Sequence, residues 1–184
     1  MMSNAETVSG RALPGEYASY AEDDIAAVDG DDVVQVLALQ CKRVIALLGN
    51  LTDDDVRGRR YAPGKWTLKE VLGHLADDER IFTYRLLCVL RSDDRRLDGF
   101  DEKAYVAAAR FEEQTLASLL DEYRTVRAAT VALLRSLMPE QWMRRGVVNG
   151  YEATVRGLAF HIAGHELRHV RTLESRYLAA TLAG

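Results

Sequence analysis

Four long segments of this chain place apolar residues three and four positions apart, which is the spacing of one face of an α-helix. In the second segment, Leu68, Val71, Leu75, Phe82 and Leu86 follow this spacing. Four such segments in a chain of 184 residues predict an all-α fold, a four-helix bundle. The sequence shows no alternating strand pattern and no internal repeat.

Local signals predict where the helices begin and end. Asp31 or Asp32 can cap the first helix by accepting from free backbone N–H groups. Thr67 and Glu70 have the spacing of a capping box at the start of the second, and 149–150, Asn-Gly, is a tight-turn signal. The predicted helices, of which the third is short, span about 32–48, 67–91, 101–109, 116–137 and 154–177.

The segments outside these helices are predicted to be irregular. Residues 1–13 are expected to form a disordered tail, because chain ends without apolar periodicity have little to pack. A single domain is expected over 14–184, beginning with an extended arm that reaches about residue 30. The stretch 52–65 is predicted to be a loop that contains the turn signal Pro-Gly.

The last predicted helix carries three of the four histidines of the chain, His161, His165 and His169, at four-residue steps. Residues four apart share a helix face, so His165 and His169 take inward positions in the apolar stripe, and His161 lies towards its edge. An imidazole pair at this spacing can hold Zn²⁺ or a similar ion. Solvated or hydrogen-bonded histidines show the same spacing, but burying two imidazoles without a shared partner is costly.

A third ligand is expected from His74 on the second predicted helix, because metal sites in bundles form from inward side chains on facing helices. Three imidazoles would leave coordination positions open, as in catalytic sites. Asp77, Asp78 and Glu79 follow His74 and are candidates for a carboxylate ligand, a group that orients a ligand, or a proton acceptor. The divalent metal ion stays open among Zn²⁺, Ni²⁺, Fe²⁺ and Mn²⁺.

Glycine stands directly before two of these histidines, as Gly73 before His74 and Gly164 before His165. Glycine in a helix interior costs about 1 kcal/mol relative to alanine. The two positions therefore predict that backbones approach each other closely there. Ordinary packing of small residues between helices explains them equally well.

Composition narrows the function classes. The formal net charge of −4 provides no basic surface for phosphate contacts, so no nucleic-acid binding is expected. The sequence contains no run of about 18 apolar residues, so no membrane helix is predicted. The N-terminus lacks a signal-peptide pattern. We therefore expect a cytoplasmic protein without a membrane partner. Cys41 and Cys88 lie in helical patterns and are interpreted as small core residues rather than a disulfide.

Several stretches of the chain resemble the DinB-like family of metal-binding four-helix bundles. The matching stretches are residues 60–74 (RYAPGKWTLKEVLGH), Asp77, Glu79, Arg80, residues 97–101 (LDGFD) and residues 163–169 (AGHELRH). The similarity extends from about Pro14 to Tyr177. It implies an up-down-down-up bundle in which His74, His165 and His169 hold a divalent ion.

Two positions depart from the family pattern. Members often carry a second histidine just before the last one, where this chain has Arg168. His161 stands where a bulky apolar or aromatic residue is common. We therefore interpret His161 as a neighbour of the site and not as a ligand.

The resemblance also implies a chemistry. Related branches include S-transferases and an isomerase that use low-molecular-weight thiols, so the expected function is metal-dependent S-transfer between a small thiol and an electrophilic substrate. Activation of water for hydrolysis would use the same Lewis-acid effect. The alternative is a non-catalytic, stress-related protein with a structural or vestigial metal site. Bundles of this kind commonly form homodimers, and we expect one here.

Overall fold

The computed structural model describes residues 9–93 and 95–179 of the chain. These residues form seven α-helices, one β-hairpin and several short 3₁₀ turns. The helices are α1 (Glu22–Ala26), α2 (Val33–Leu48), α3 (Asp53–Val56), α4 (Leu68–Leu90), α5 (Glu102–Ala109), α6 (Leu116–Arg135) and α7 (Val155–Thr172). The strands are β1 (Arg145–Val148) and β2 (Tyr151–Thr154), and α7 continues into a π-helical turn, Leu173–Tyr177.

The long helices α2, α4, α6 and α7 form the predicted four-helix bundle, in which α2 and α4 each pack against both α6 and α7. On α2, Gln40 donates a hydrogen bond to the carbonyl of Ala163, and Arg43, further along, pairs with Glu174. The contact further along α2 is also further along α7, so these two helices run in the same direction.

Helix α4 runs against α7. Near the start of α4, His74 lies beside His169, whereas Phe82, two turns later, stacks on His161. Hydrogen-bond partners on α4 and α6 increase together, so these two helices are parallel. The up-down-down-up order implied by the resemblance is therefore confirmed.

Side-chain caps fix the start of the long helices where the sequence predicts them. Asp32 accepts hydrogen bonds from two backbone N–H groups of α2. Thr67 and Glu70 form the expected capping box at the start of α4. Thr115 caps α6 and Thr154 caps α7. Each cap satisfies backbone donors that would otherwise lack a partner, and replacing one by alanine typically costs about 1 kcal/mol.

The β-hairpin is a correction to the sequence analysis, which predicts its turn but no strands. The strands β1 and β2 pair antiparallel across the turn at Asn149 and Gly150. Both turn residues have positive φ angles, 50° and 80°, as a type I′ hairpin turn requires. Each strand has four residues, too few for an alternating pattern to stand out.

Two short helices correct the prediction of an extended arm and an uninterrupted loop. Helix α1 forms within the predicted arm, and α3 forms within the predicted loop, where Thr52 and Asp55 make a capping box. Both helices have at most five residues, and one turn is too short to show apolar periodicity.

The packed domain begins before the boundary that the sequence predicts. Ser9 is buried and donates a hydrogen bond of 3.0 Å to the carbonyl of Asp31. Ala12 is also buried. Residues 9–13 therefore belong to the domain rather than to the predicted tail, and residues 1–8 lie outside the described residues.

Other segments approach both glycines that precede histidines. A Cβ atom on Gly164 would lie 2.7 Å from the carbonyl carbon of Asp24, where α1 crosses α7. A Cβ atom on Gly73 would lie 2.3 Å from the ring of Phe111. The predicted close approach of backbones is confirmed at Gly164 and is wrong at Gly73, where the neighbour is the side chain of Phe111.

The interior consists of two apolar clusters with a layer of buried polar side chains between them. One cluster includes Leu37, Leu86 and Phe160, and the other includes Leu48 and Leu72. The polar layer, defined by buried side chains between the two clusters, is Asp78, Glu79, Arg127, His165 and Glu166. Buried polar groups need hydrogen-bond partners, so this layer constrains how the four helices align.

Arg127 is the centre of one half of the polar layer. Its guanidinium donates to both carboxylate oxygens of Glu79 at 2.8–3.1 Å, to the carbonyl of Leu37 at 2.8 Å, and to Glu166. The hydroxyl of Tyr123 donates to Glu166 at 2.8 Å. Burial raises the pKa of Glu166, although Arg127 opposes this shift. The contacts connect all four long helices.

Both cysteines of the chain are free thiols, with Cys88 buried and Cys41 partly buried, so the prediction of no disulfide is confirmed. Within the described residues, none of the helices combines the length and the apolar character that a membrane crossing requires.

Substituting Arg127→Met tests the energetic weight of this network. Two buried carboxylates would lose the cation that they share, so the free energy of unfolding is expected to fall by about 3–5 kcal/mol. Urea unfolding at neutral pH measures the loss. The matched control is Arg57→Met, because Arg57 forms an ion pair in solvent with Asp54 and should leave stability unchanged. Equal effects of the two substitutions would contradict the account.

Candidate metal centre

Three histidines from two helices meet inside the bundle. His74 is 1% exposed and His165 is 7% exposed, and His169 is partly buried. The Nε2 atoms of His74 and His165 are 3.2 Å apart, and the three ring centroids are separated by 4.6–5.0 Å. One ring nitrogen of each histidine lies within 4.8 Å of the other two. The structure therefore brings together the trio that the sequence singles out.

Helix geometry explains this convergence. His165 and His169 are four residues apart on α7 and so share one face. The antiparallel helix α4 presents His74 to that face, in the second turn after the capping box of Thr67. The site therefore depends on the register between α4 and α7.

The donor set fits a transition-metal ion. Two imidazole nitrogens bound to one tetrahedral ion at about 2.0–2.1 Å are about 3.3 Å apart. The separation of 3.2 Å between His74 and His165 matches this value. An all-imidazole set suits Zn²⁺, Ni²⁺ and Fe²⁺ better than Mg²⁺ or Ca²⁺, which prefer oxygen ligands.

Burial keeps the three imidazoles in the neutral form that binds metals. Burial, and to a smaller extent Arg168, lowers the pKa of His74 to about 4. Burial, followed by the nearby His74, lowers the pKa of His169 to about 3. Burial also lowers the pKa of His165 well below its usual value. At neutral pH each ring thus has a lone pair available for a cation.

Asp78 orients one of the three rings. Its Oδ2 atom lies 3.2 Å from Nδ1 of His165, on the opposite side of the ring from the histidine cluster. An Nδ1–H that donates to this carboxylate leaves Nε2 free to face His74. Burial raises the pKa of Asp78 to about 7. Asp78 is one of the three carboxylates that the sequence singles out.

The other two carboxylates do not reach the histidine cluster. Asp77 pairs with Arg80 at 3.3 Å at the surface, and Glu79 is held by Arg127 in the polar layer. Successive residues of a helix point about 100° apart, so Asp78 alone of this run can face α7 beside His165.

Two side chains near the histidines escaped the sequence analysis. The ring of Trp66 lies 4.7 Å from that of His74 and stacks at 6.5 Å on that of His169. Glu102, in the first turn of α5, places Oε2 4.0 Å from Nε2 of His74 and is about half exposed. The signal that could have indicated them is their position inside or beside the stretches that resemble the DinB-like family.

His161 lies beside the cluster and outside it. Its ring stacks on Phe82 at 4.0 Å, and the ring of His165 is 6.2 Å away. Burial lowers the pKa of His161 to about 4. This placement agrees with the interpretation of His161 as a neighbour.

A cavity of about 260 Å³ adjoins the cluster at His165. A single water needs only about 10–15 Å³ of such space, so the cavity has room for a small organic molecule. Its wall is formed by Tyr20, Asp24, Asp78, Phe82, Arg85, Gly99, Phe100, Glu102, Asn149, His161, His165 and Arg168. A reactant in this space would lie against His161 and His165, the two histidines on its wall.

The lowered histidine pKa values predict an acid-sensitive fold in metal-free protein. The ordinary histidine pKa is 6.5, so between about pH 4 and 6.5 these histidines bind more protons in the unfolded chain than in the folded one. The free energy of unfolding therefore falls as the pH decreases through this window. His161→Phe removes one such group from outside the cluster and should reduce the slope by up to about 1.4 kcal/mol per pH unit.

Urea unfolding of chelator-treated protein across this pH range measures both slopes. The pKa of Asp78 is raised to about 7, so this group makes the free energy of unfolding rise as the pH decreases. Its contribution is the same in the wild type and in His161→Phe. Parallel stability curves for the wild type and His161→Phe would contradict the prediction.

Comparisons with known proteins agree with the fold. The solved structure of YfiT from Bacillus subtilis, described as a probable metal-dependent hydrolase with an unusual four-helix bundle topology, matches with a TM-score of 0.67 and 23% identity. The match covers 91% of this chain and 94% of that one. No curated protein matches the chain significantly. The family model of the DinB superfamily matches residues 37–173, which include all four histidines, and the chain belongs to that superfamily.

Proposed function

We propose that the protein is a metal-dependent enzyme in which His74, His165 and His169 hold a divalent ion. The observation that carries the proposal is the convergence of three neutral imidazoles, two of them buried and one partly buried, with ring nitrogens within 4.8 Å of one another, beside an open cavity. A structural site would be closed by a fourth protein ligand. Among the described residues, the cluster of histidine, cysteine or acidic side chains close enough together to hold a metal ion consists of these three histidines.

The proposed reaction is substitution at an electrophilic centre by a small nucleophile, either a thiol or water, which loses its proton while the bond to the leaving group breaks. A bound divalent ion supplies Lewis acidity, which lowers the pKa of the nucleophile and makes it reactive at neutral pH. The side chains of the chain then position the reactants and move the proton. Thiol S-transfer is the activity that the family resemblance suggests, and hydrolysis is the one attributed to YfiT as probable.

Glu102 is the proposed proton acceptor. Its carboxylate is 4.0 Å from Nε2 of His74 and remains about half exposed, so it can take a proton from a nucleophile near the cluster and release it to solvent. Asp78 has a positioning role, because it holds His165 in the tautomer that presents Nε2. Trp66 covers the opposite side of His74 and His169 and would exclude water there.

The metal and the reactants follow from this proposal as further predictions. Zn²⁺, Ni²⁺, Fe²⁺ and Mn²⁺ are the candidate ions. A low-molecular-weight thiol and an electrophile are the proposed partners, with no nucleic acid and no membrane, and the homodimer stays a prediction.

Metal binding is the first test of the proposal. The wild type is expected to bind one equivalent of Zn²⁺, Ni²⁺ or Mn²⁺, and His165→Ala should lose this binding because it removes a central ligand. Asp78→Asn should weaken affinity by about 10- to 100-fold through loss of ring orientation. Isothermal titration calorimetry and elemental analysis provide the measurement. His161→Phe is the matched control and should keep one equivalent; unchanged stoichiometry in His165→Ala would rule out the proposed ligands.

Turnover is the second test. Metal-loaded protein is assayed for consumption of a thiol in the presence of an aryl halide, and separately for hydrolysis of an activated ester. His165→Ala should abolish whichever activity is found, and Glu102→Gln should lower kcat by about 10²–10⁴-fold because the proton acceptor is lost. The control Glu113→Gln alters a surface carboxylate that pairs with Arg110. Equal rates for the wild type and His165→Ala would reject the enzymatic proposal.

A further inference from the structure

Arg85 presents a buried guanidinium to the cavity beside the histidine cluster. The residue is 4% exposed. It lies on α4 and lines both this cavity and a second, outer depression. Its guanidinium lies 4.8 Å from the ring centre of Phe82 and 5.6 Å from that of Phe100. The two rings hold the charge in place and keep water from much of its surface.

The guanidinium lacks a carboxylate partner among the described residues. Its hydrogen bond there is donated by Nη2 to the backbone carbonyl of Asp98, at 2.6 Å. Asp78 attracts the guanidinium through space, but its close contact is with Nδ1 of His165. A buried charge is normally paired, because removing it from water costs several kcal/mol. The N–H groups of Arg85 that do not donate to Asp98 can therefore donate to an anion in the cavity.

The other charged groups of the cavity indicate which anion fits. Arg168 already pairs with Asp24 at 3.3 Å, which leaves Arg85 as the cation without an acidic partner on this wall. Asp78 and Glu102 also line the cavity and would repel a doubly charged phosphate more than a singly charged carboxylate. A planar guanidinium matches a planar carboxylate through paired hydrogen bonds.

We propose that Arg85 binds a carboxylate of the substrate or co-substrate in this cavity, so that the enzyme selects small carboxylic acids. This inference rests on the proposed function in one respect, which is that the reactive group of the same substrate would lie at the histidine cluster. The carboxylate end would accept hydrogen bonds from the N–H groups of Arg85 that do not donate to the carbonyl of Asp98. Arg85 is thus a specificity-determining residue, and it takes no part in proton transfer.

Matched pairs of probes test the inference. Zn²⁺-loaded protein is titrated with 3-mercaptopropionate and with 3-mercaptopropanamide, which differ in charge and keep the same thiol. A charge-assisted hydrogen-bonded pair contributes about 1.5–3 kcal/mol, so the wild type should bind the acid about 10- to 100-fold more tightly. In Arg85→Gln the ratio of the two dissociation constants should fall to about one, with the affinity for the amide unchanged.

Controls separate a lost binding group from a lost fold. Arg96→Gln removes the same charge from the outer depression, where Arg96 is mostly exposed and pairs with Asp98, and should keep the wild-type ratio. Arg85→Lys keeps the positive charge and should retain part of the preference for the acid. Melting temperature and zinc stoichiometry check each variant. Equal binding of both probes by the wild type would overturn the inference, even if no Arg85 variant folds. An unchanged ratio of the two dissociation constants in folded Arg85→Gln would also overturn it.

A second pair of probes makes failure of this inference distinguishable from failure of the proposed function. Propionate and propionamide are titrated into metal-free wild type and His165→Ala by NMR, where selectivity for propionate should persist because Arg85 is unaltered. Selectivity without any turnover would reject the enzymatic proposal alone, whereas turnover without selectivity would reject the role of Arg85 alone. Methyl phosphate is the third ligand, and tighter binding of it than of propionate would overturn the assignment to carboxylates.

Discussion

Burial of charged and polar side chains across the middle of the bundle is the constraint on which the rest of the structure depends. The neighbours His165 and Glu166 on α7 point in different directions, and each needs a partner from another helix. His165 is met by Asp78 and His74 from α4, and Glu166 is met by Arg127 from α6. A shift of α7 by one helical turn, 5.4 Å, would separate these groups and leave buried charges unpaired. The polar layer therefore fixes the register that brings the histidines together.

The same register gives the site its two contrasting sides. Towards the bundle interior, Trp66 and the apolar core cover the imidazoles and keep them neutral. Towards the hairpin and the N-terminal segment, a cavity remains, with Glu102 and Arg85 on its wall. Neutral nitrogen ligands on one side and room for a reactant on the other are what a catalytic metal site requires. The carboxylates and guanidinium would then govern proton transfer and substrate choice.

The sequence predicts the long helices well because their signals are local. The capping box of Thr67 and Glu70 and the four-residue histidine spacing both follow from helix geometry. The argument from facing helices adds His74, and the family resemblance implies the same residue. Arg127 and Glu102 could not be predicted in their roles, because an arginine or glutamate on a helix normally indicates a solvated face. Only packing between distant segments buries the first and brings the second to the cluster.

The central claim is that helices α4 and α7 contribute imidazoles to one cation. An anomalous difference map from crystals of metal-loaded, untagged protein tests it most directly. The account predicts a single strong peak at about 2.0–2.3 Å from ring nitrogens of His74, His165 and His169. A peak bonded to the histidines of α7 without His74, or a metal held by surface carboxylates instead, would contradict it.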